Sequence, residues 1–550
     1  MSDYRHYKPS SYEEMVAAFT WDVPERYNIA ADTVDKHPDD RLAMIWEDWQ
    51  GNERRLTFGD FKKLSNRIAN VLAAHGVERG DRVAVMLPSL PETAATFIAV
   101  YKLGAILLSL SQLYGDDGIA HRLDDSQARV LVTDGKNRTR LEGMRDRVSS
   151  LERVFVLNAG SELREGDVDF DDVIASASED FTVADTSSED PAQLYYSSGT
   201  TGAAKGILHA HRYLLGHNEY EFCHDVRQDE LFHSTGEWAW IAGIVPGLLG
   251  PWRYGVPVAV FQRAGGAYDP AQTFYLLEKY EVGNMFTTPT ALRAMTQLKD
   301  PGSQYDIKLR ICCSAGEPLN PEVIRWFERQ FGIPVLDYYG LTESYPLCGN
   351  FPTVEVRPGS MGLPLPGWEV ELLKVGTEEA VPRGEAGEIC LKARSNPHYP
   401  LGYFNRPEDT AKVFGGSYFR TNDMGRRDED GYIWYEGRAD DVIISAGYRI
   451  GPFEVESAIL ELEECVEAAA VATPDEKRGS IVKAFVRLAE GVEPTEELAG
   501  RIKAHVRESY AAYAYPREVE FVDDLPKTLT GKIRRIELRE AESRKGRSPS

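Results

Sequence analysis

Apolar positions along the first four-fifths of this chain fall into two alternating rhythms. Short unbroken runs at residues 83–87 (VAVML), 128–134 (ARVLVTD), 256–261 (VPVAVF) and 333–340 (IPVLDYYG) have the length and β-branched content of buried strands. Between such runs lie stretches with apolar residues three and four apart. Phe61, Leu64, Ile68, Val71 and Leu72 make one such helical face, with Gly76 placed to cap it. Strands alternating with helices predict an α/β fold of parallel-rich sheets, whose ligands gather at the carboxyl edges of the strands. After Gly437 the rhythm restarts with its own short strands and an amphipathic helix near residues 453–462. A domain boundary is therefore expected at Asp440, dividing the chain into a large N-terminal domain (1–439) and a small C-terminal α+β domain (440–550).

Length and composition agree with two or more soluble globular domains: 550 residues, 42% apolar and 27% charged. The six cysteines form no CxxC pair, which favours reduced core thiols over a disulfide or metal framework. The first fifteen residues carry acids and no apolar core segment, unlike a secretion signal, so a cytoplasmic protein is expected. Pro246, Pro251, Arg253 and Pro257 interrupt the apolar stretch at 241–261, which excludes it as a membrane span. The net charge of −25 argues against nucleic acid as a partner. Residues 1–440 carry −21 of it and residues 441–550 only −4, as expected if the small domain approaches polyphosphates. The tail SRKGRSPS reads as disordered.

The stretch YYSSGTTGAAKG at 195–206 concentrates phosphate-binding chemistry. Hydroxyls of Ser197, Ser198, Thr200 and Thr201, backbone N–H groups freed by Gly199, Gly202 and Gly206, and the ammonium of Lys205 can converge on a polyanion such as a triphosphate. Its glycine spacing is not that of a Walker A loop. Apolar residues before it and a helical-looking 206–215 after it predict strand, turn and helix.

This segment resembles the phosphate-binding loop of the adenylate-forming superfamily: acyl-CoA synthetases, peptide-synthetase adenylation domains and firefly-type luciferases. Further segments match that superfamily in order: SAGEPL at 314–319, DYYGLTES at 337–344, YFRTNDMG at 418–425, GRADDVIISAGYRIGPFEVE at 437–456 and PKTLTGKIRR at 526–535. The resemblance implies an ATP-dependent carboxylic acid:CoA ligase working through an acyl adenylate, most like the medium-chain enzymes, with Mg²⁺ as cofactor and ATP and CoA as cosubstrates. Residue by residue, it implies Glu343 as metal ligand beside Thr342, and Asp423 and Arg438 at the ribose. Gly316, Glu317 and Pro318 are implied as one wall of the adenine slot and Tyr338 and Tyr339 as the other, with Asp337 and Gly340 also implied at the ATP site. Relatives commonly read TGD where this chain has Thr421-Asn422-Asp423. Lys532 resembles the lysine that bridges carboxylate and α-phosphate. The small domain is implied to rotate about Asp440 for thiol transfer, with Gly447 opening a pantetheine tunnel and Arg449, Arg478 and Tyr515 touching CoA.

The acyl pocket is expected along residues 233–243, with Trp238 and Trp240, and against Gly340. Acetate-specific relatives resemble one another in placing a Trp at that last position, so the pocket here is expected to be deeper than acetate requires. Two other classes compete. A luciferase-like oxygenase would carry His-His-Gly-Phe where this chain has GEWAW, and a carrier-loading adenylation enzyme would not need Gly447, Arg449 and Arg478. Whether the acid is a short, branched or medium-chain fatty acid or an aromatic acid such as benzoate stays open at this point.

Overall fold

The computed structural model describes residues 11–197, 204–265, 268–445, 448–475, 479–511, 514–528 and 532–545, with main chain alone at 448, 449, 479 and 545. Two large sheets dominate the N-terminal part. One has eight strands in the order Gly402–Tyr403, Lys205–Ala210, Pro191–Ser197, Ile106–Ser109, Arg82–Met86, Val130–Asp134, Arg153–Leu157 and Val168–Asp169. The other has nine, and its central run Phe232–Ser234, Asn284–Thr287, Ile311–Ser314 and Val335–Leu341 is parallel throughout. Helix Pro91–Leu103 has twelve of its thirteen residues buried, so it lies inside the layered core rather than on a wetted surface. Helix Phe58–Ala74 packs on it, started by a capping box in which Thr57 and Asp60 exchange hydrogen bonds.

A four-stranded antiparallel sheet, Val370–Leu373, Ala386–Lys392, Tyr418–Arg427 and Ile433–Arg438, leads into the C-terminal part. There, strands Cys465–Asp475, Gly479–Leu488 and Glu518–Phe521 with helices Pro452–Ile459 and Glu496–Ser509 enclose a separate core around Val455, Ile459, Val482 and Ile502.

Two expectations are corrected. The segment after the phosphate loop is a strand, not a helix: Lys205–Ala210 pairs antiparallel with Pro191–Ser197, and only then does a short 3₁₀ turn, His211–Gly216, begin. Its apolar spacing fits a helix equally well, but the free edge of the neighbouring strand offers a complete ladder of backbone partners. The tail is helical further than composition suggested, since Arg535–Lys545 is one helix; residues 546–550 lie outside the described ones. Among the described residues no helix is long and apolar enough to cross a membrane.

Candidate active site

Asp423 is the hub of the site. It sits on strand Tyr418–Arg427 where that strand pairs with Arg438, and only 6% of it is exposed. The Tyr339 hydroxyl donates to Oδ2 at 2.6 Å, and an Arg438 guanidinium nitrogen lies 3.8 Å from Oδ1. Burial pushes this carboxyl up; Tyr339, Arg438 and the Lys532 ammonium pull it back towards the charged form. Lys532, exposed in the C-terminal part, therefore lies close enough to Asp423 to stabilise its charged form in this arrangement. Its backbone is fixed by a tight reversal, with Thr528 N–H donating to the Lys532 carbonyl at 2.7 Å.

Strand Val335–Leu341 sorts its residues by side, as alternation requires. Tyr339 points to Asp423, whereas Tyr338 is 2% exposed, packs on Phe286 and Tyr345, and lies 3.4 Å from His224 Nε2. Tyr338 is thus a core residue, which corrects its place in the adenine wall. Asp337 is also buried, with Oδ1 unpartnered and its carboxyl pushed well up by burial. At the other expected wall, Gly316 has φ +98° and open space where a Cβ would point, while Glu317 is held by Thr290 at 2.7 Å and Arg293 at 2.7 Å.

Beyond the strand, Thr342 gives its carbonyl to His209 Nε2 at 3.0 Å. The carboxyl of Glu343 is raised by burial and moderated by Arg438 and by a hydrogen bond from Tyr403. Lys205 reaches Asp409 at 2.8 Å and lies over the Tyr403 ring. Ser197 ends its strand opposite Lys205; Ser198, Gly199, Thr200, Thr201 and Gly202 lie outside the described residues. Lys205 and Glu343 both adjoin Tyr403, and Glu343, Tyr339, Asp423, Arg438 and Lys532 lie near one another where the two parts meet.

The AMP-binding enzyme family matches residues 30–404, and its C-terminal domain matches residues 454–532. The chain is an AMP-binding enzyme. It is 35% identical to the mitochondrial acyl-coenzyme A synthetase ACSM3 of Mus musculus, over 98% of this chain and 95% of the relative. It is 34% identical to an acetyl-coenzyme A synthetase of Bacillus subtilis, over 96% and 94%. The crystal structure of the anthranilate CoA ligase AuaEII with anthranoyl-AMP matches with a TM-score of 0.88 at 30% identity, over 95% and 99%. Like these relatives, this AMP-binding enzyme is an AMP-forming acyl-CoA synthetase, an acid–thiol ligase that uses ATP and CoA.

Among the described residues no cluster of three or more His, Cys, Asp or Glu forms a metal cage. The donor set nonetheless fits Mg²⁺, which is held by one or two carboxylates plus substrate phosphates; the desolvated Glu343 offers one such carboxylate beside the phosphate-loop lysine. The acyl-pocket residues separate. Trp238 is buried against Phe97 (6.3 Å), and Trp240 stands edge-on to Tyr114 at 5.3 Å. The empty volume expected at Gly340 is filled: a Cβ there would lie 2.5 Å from the Tyr345 ring. Gly340 is not among the glycines with positive φ, so it is small because Tyr345 comes close.

At the junction, Asp440 accepts from Arg438 and Asn422, both at 3.3 Å, and its carbonyl accepts from Arg539 at 2.6 Å. Asn422 has φ +62°, the left-handed conformation natural to the glycine of relatives and tolerated by Asn. Glu454 is lodged there beside Glu436 and Glu456, with Oε2 unpartnered; burial first, then those two acids, push its carboxyl up to about 8 against the pull of Arg426. Tyr515 lies under the Arg517 guanidinium at 4.2 Å. Gly447 and Arg478 lie outside the described residues, as does the side chain of Arg449. Sequence reasoning passed over His209, Tyr403 and Tyr345. Only His209, four residues after Lys205 and on the same side of the strand, carried a usable signal.

Proposed function

We propose that the enzyme activates a small to medium-sized carboxylic acid in two half-reactions. First, the acid carboxylate attacks the α-phosphorus of ATP, and the P–O bond to pyrophosphate breaks. Lys532 offers its cation to the two anions that must meet, Asp423 and Arg438 fix the ribose through the geometry that Tyr339 braces, and Lys205 with the hydroxyls of the phosphate loop receives the departing charge. Mg²⁺, when bound at Glu343, supplies charge neutralisation at the phosphates. Second, the small domain turns about Asp440, withdraws Lys532 and presents Gly447, Arg449, Arg478 and Tyr515 to CoA. The thiol then attacks the acyl carbonyl and AMP leaves.

The observation carrying this reading is that Lys532 of one part faces Asp423 of the other in the company of Arg438 and Tyr339. Pyrophosphate release dependent on acid and ATP, and thioester formation dependent on CoA, is the expected result. ATP hydrolysis that ignores the acid would refute it.

A further inference from the structure

Where the edge strand Gly402–Tyr403 meets helix Pro407–Phe414 lies a cavity of about 590 Å³ that the proposed reaction does not use. Its volume falls within the range of about 300–1,000 Å³ typical of small-molecule sites. Local sequence sets its walls. Gly402 has φ +132°, and a Cβ there would lie 2.4 Å from the Thr410 side chain, so only glycine lets the strand lie this close to the helix. The Tyr403 N–H donates to the Thr410 hydroxyl at 2.9 Å, which ties the two elements together.

Two of the lining residues are charged and both are arginines, in a chain whose acids outnumber its bases by 87 to 62. Arg394 is exposed and has no ion-pair partner among the described residues. Its cation lies close to the Tyr399 phenol, which burial raises and Arg394 pulls back. Arg406 gives one nitrogen to Asp125 at 2.6 Å, and this pair holds the guanidinium in place while leaving 35% of the side chain exposed. The rings of Tyr399, Tyr403 and Phe414 supply much of the remaining wall. Two guanidinium groups with no carboxylate in the lining favour an anion, and the planar fork matches phosphate best. The rings suit an anion that carries a flat organic body.

The cavity shares two elements with the reaction site. The Lys205 ammonium lies over the Tyr403 ring at 5.3 Å, and the hydroxyl of that ring hydrogen-bonds Glu343. Asp409, next to Thr410 on the helix, holds Lys205 at 2.8 Å. A ligand seated against Tyr403 and Thr410 therefore bears on the ion pair that occupies Lys205. We propose that the cavity is an effector site for an organic phosphate of nucleotide size, of which the AMP that the enzyme forms is one, and that filling it changes how tightly the phosphate loop holds ATP.

The test uses the full-length enzyme and labelled AMP in equilibrium dialysis. Wild type is expected to bind two AMP per chain, one at the reaction site and one in the cavity. Arg394→Ala should weaken the second by about tenfold or more, and leave the initial kcat without added AMP within about twofold. Ribose 5-phosphate and adenosine, which carry the phosphate or the base alone, should each displace that second AMP about tenfold less well than AMP does. The coupling is read from the dissociation constant of ATP at rising AMP. Competition at the reaction site alone raises it by one factor in both proteins, whereas an effector site makes the factors for wild type and Arg394→Ala differ by about fivefold or more. A single AMP per wild-type chain, two retained equally by Arg394→Ala, displacement by adenosine as effective as by AMP, or equal factors for ATP would each overturn the proposal. None of these measurements contains an acid or CoA, so failure of the ligase half-reactions leaves them unchanged.

Discussion

The two sides of strand Val335–Leu341 are held by different physics. On the Asp423 side the contacts are polar: Tyr339 to Asp423 within the N-terminal part, Arg438 to Asp440 at the junction, and Lys532 of the C-terminal part beside Asp423. On the Tyr345 side they are fixed by packing, with Tyr338, Tyr345 and Tyr220 set into space left by glycines. Polar contacts of the first kind can be broken and remade within a catalytic cycle at little cost each. Close packing of the second kind moves only if the fold moves. On the proposed function, a ligase with two half-reactions needs both kinds of face, one that can change partners and one that keeps its shape.

The strongest way to separate the two faces is Lys532→Ala. Adenylate formation is expected to fall by roughly three orders of magnitude, since a cation between two anions is lost in the transition state, while CoA transfer onto a supplied acyl adenylate changes little. Single-turnover assays of each half-reaction decide it, and equal losses in both would erase the distinction. Gly340→Ala attacks the other face. Overpacking against Tyr345 should destabilise the protein by about 1–3 kcal/mol and lower turnover of every acid and of both half-reactions together. Gly340→Trp should do the same more severely, rather than retune chain length. A thermal melt with an intact midpoint for Gly340→Ala would show that this side yields after all.

A weaker lever is the proton on Glu454. Its carboxyl is raised to about 8, so the docked arrangement binds a proton that the unfolded chain releases above its ordinary value of 4.5. Stability from this group is therefore fully present below about pH 4.5 and is lost as pH rises from there through about 8, by about 1.4 kcal/mol per pH unit at most. Glu454→Gln should flatten the fall in Tm between about pH 5 and pH 8; an unchanged slope would place the effect elsewhere. Smallest is Asn422→Gly. It keeps the left-handed turn but removes one 3.3 Å hydrogen bond to Asp440, so a change of about two- to threefold in the ratio of the half-reaction rates is expected, in favour of thiol transfer. No change would mean that Asn422 merely fills the turn.

The nucleotide face was legible in the sequence because its chemistry is written in short strings. Lys205, Glu343, Asp423, Arg438 and Lys532 each stand in a short local string, and the structure brings Glu343, Asp423 and Arg438 near one another, with Lys532 beside Asp423. The acyl face was not legible, because it is made by tertiary approach. Nothing in the sequence around Gly340 announces that the Tyr345 ring folds back over it. The hairpin after the phosphate loop was misjudged for a related reason: GILHAHRYLL satisfies helical and strand spacing alike, and only the partner strand decides.

All six cysteines are free and buried, and burial pushes each thiol up, away from the reactive thiolate. For a catalyst whose second substrate is a thiol and whose product is a thioester, this has a chemical consequence. An accessible thiolate of its own could attack the thioester carbonyl of the product and expel CoA thiolate, so that the enzyme would slowly acylate itself. By storing sulfur only in its cores, the chain lets one thiol, that of CoA, compete for the acyl carbonyl.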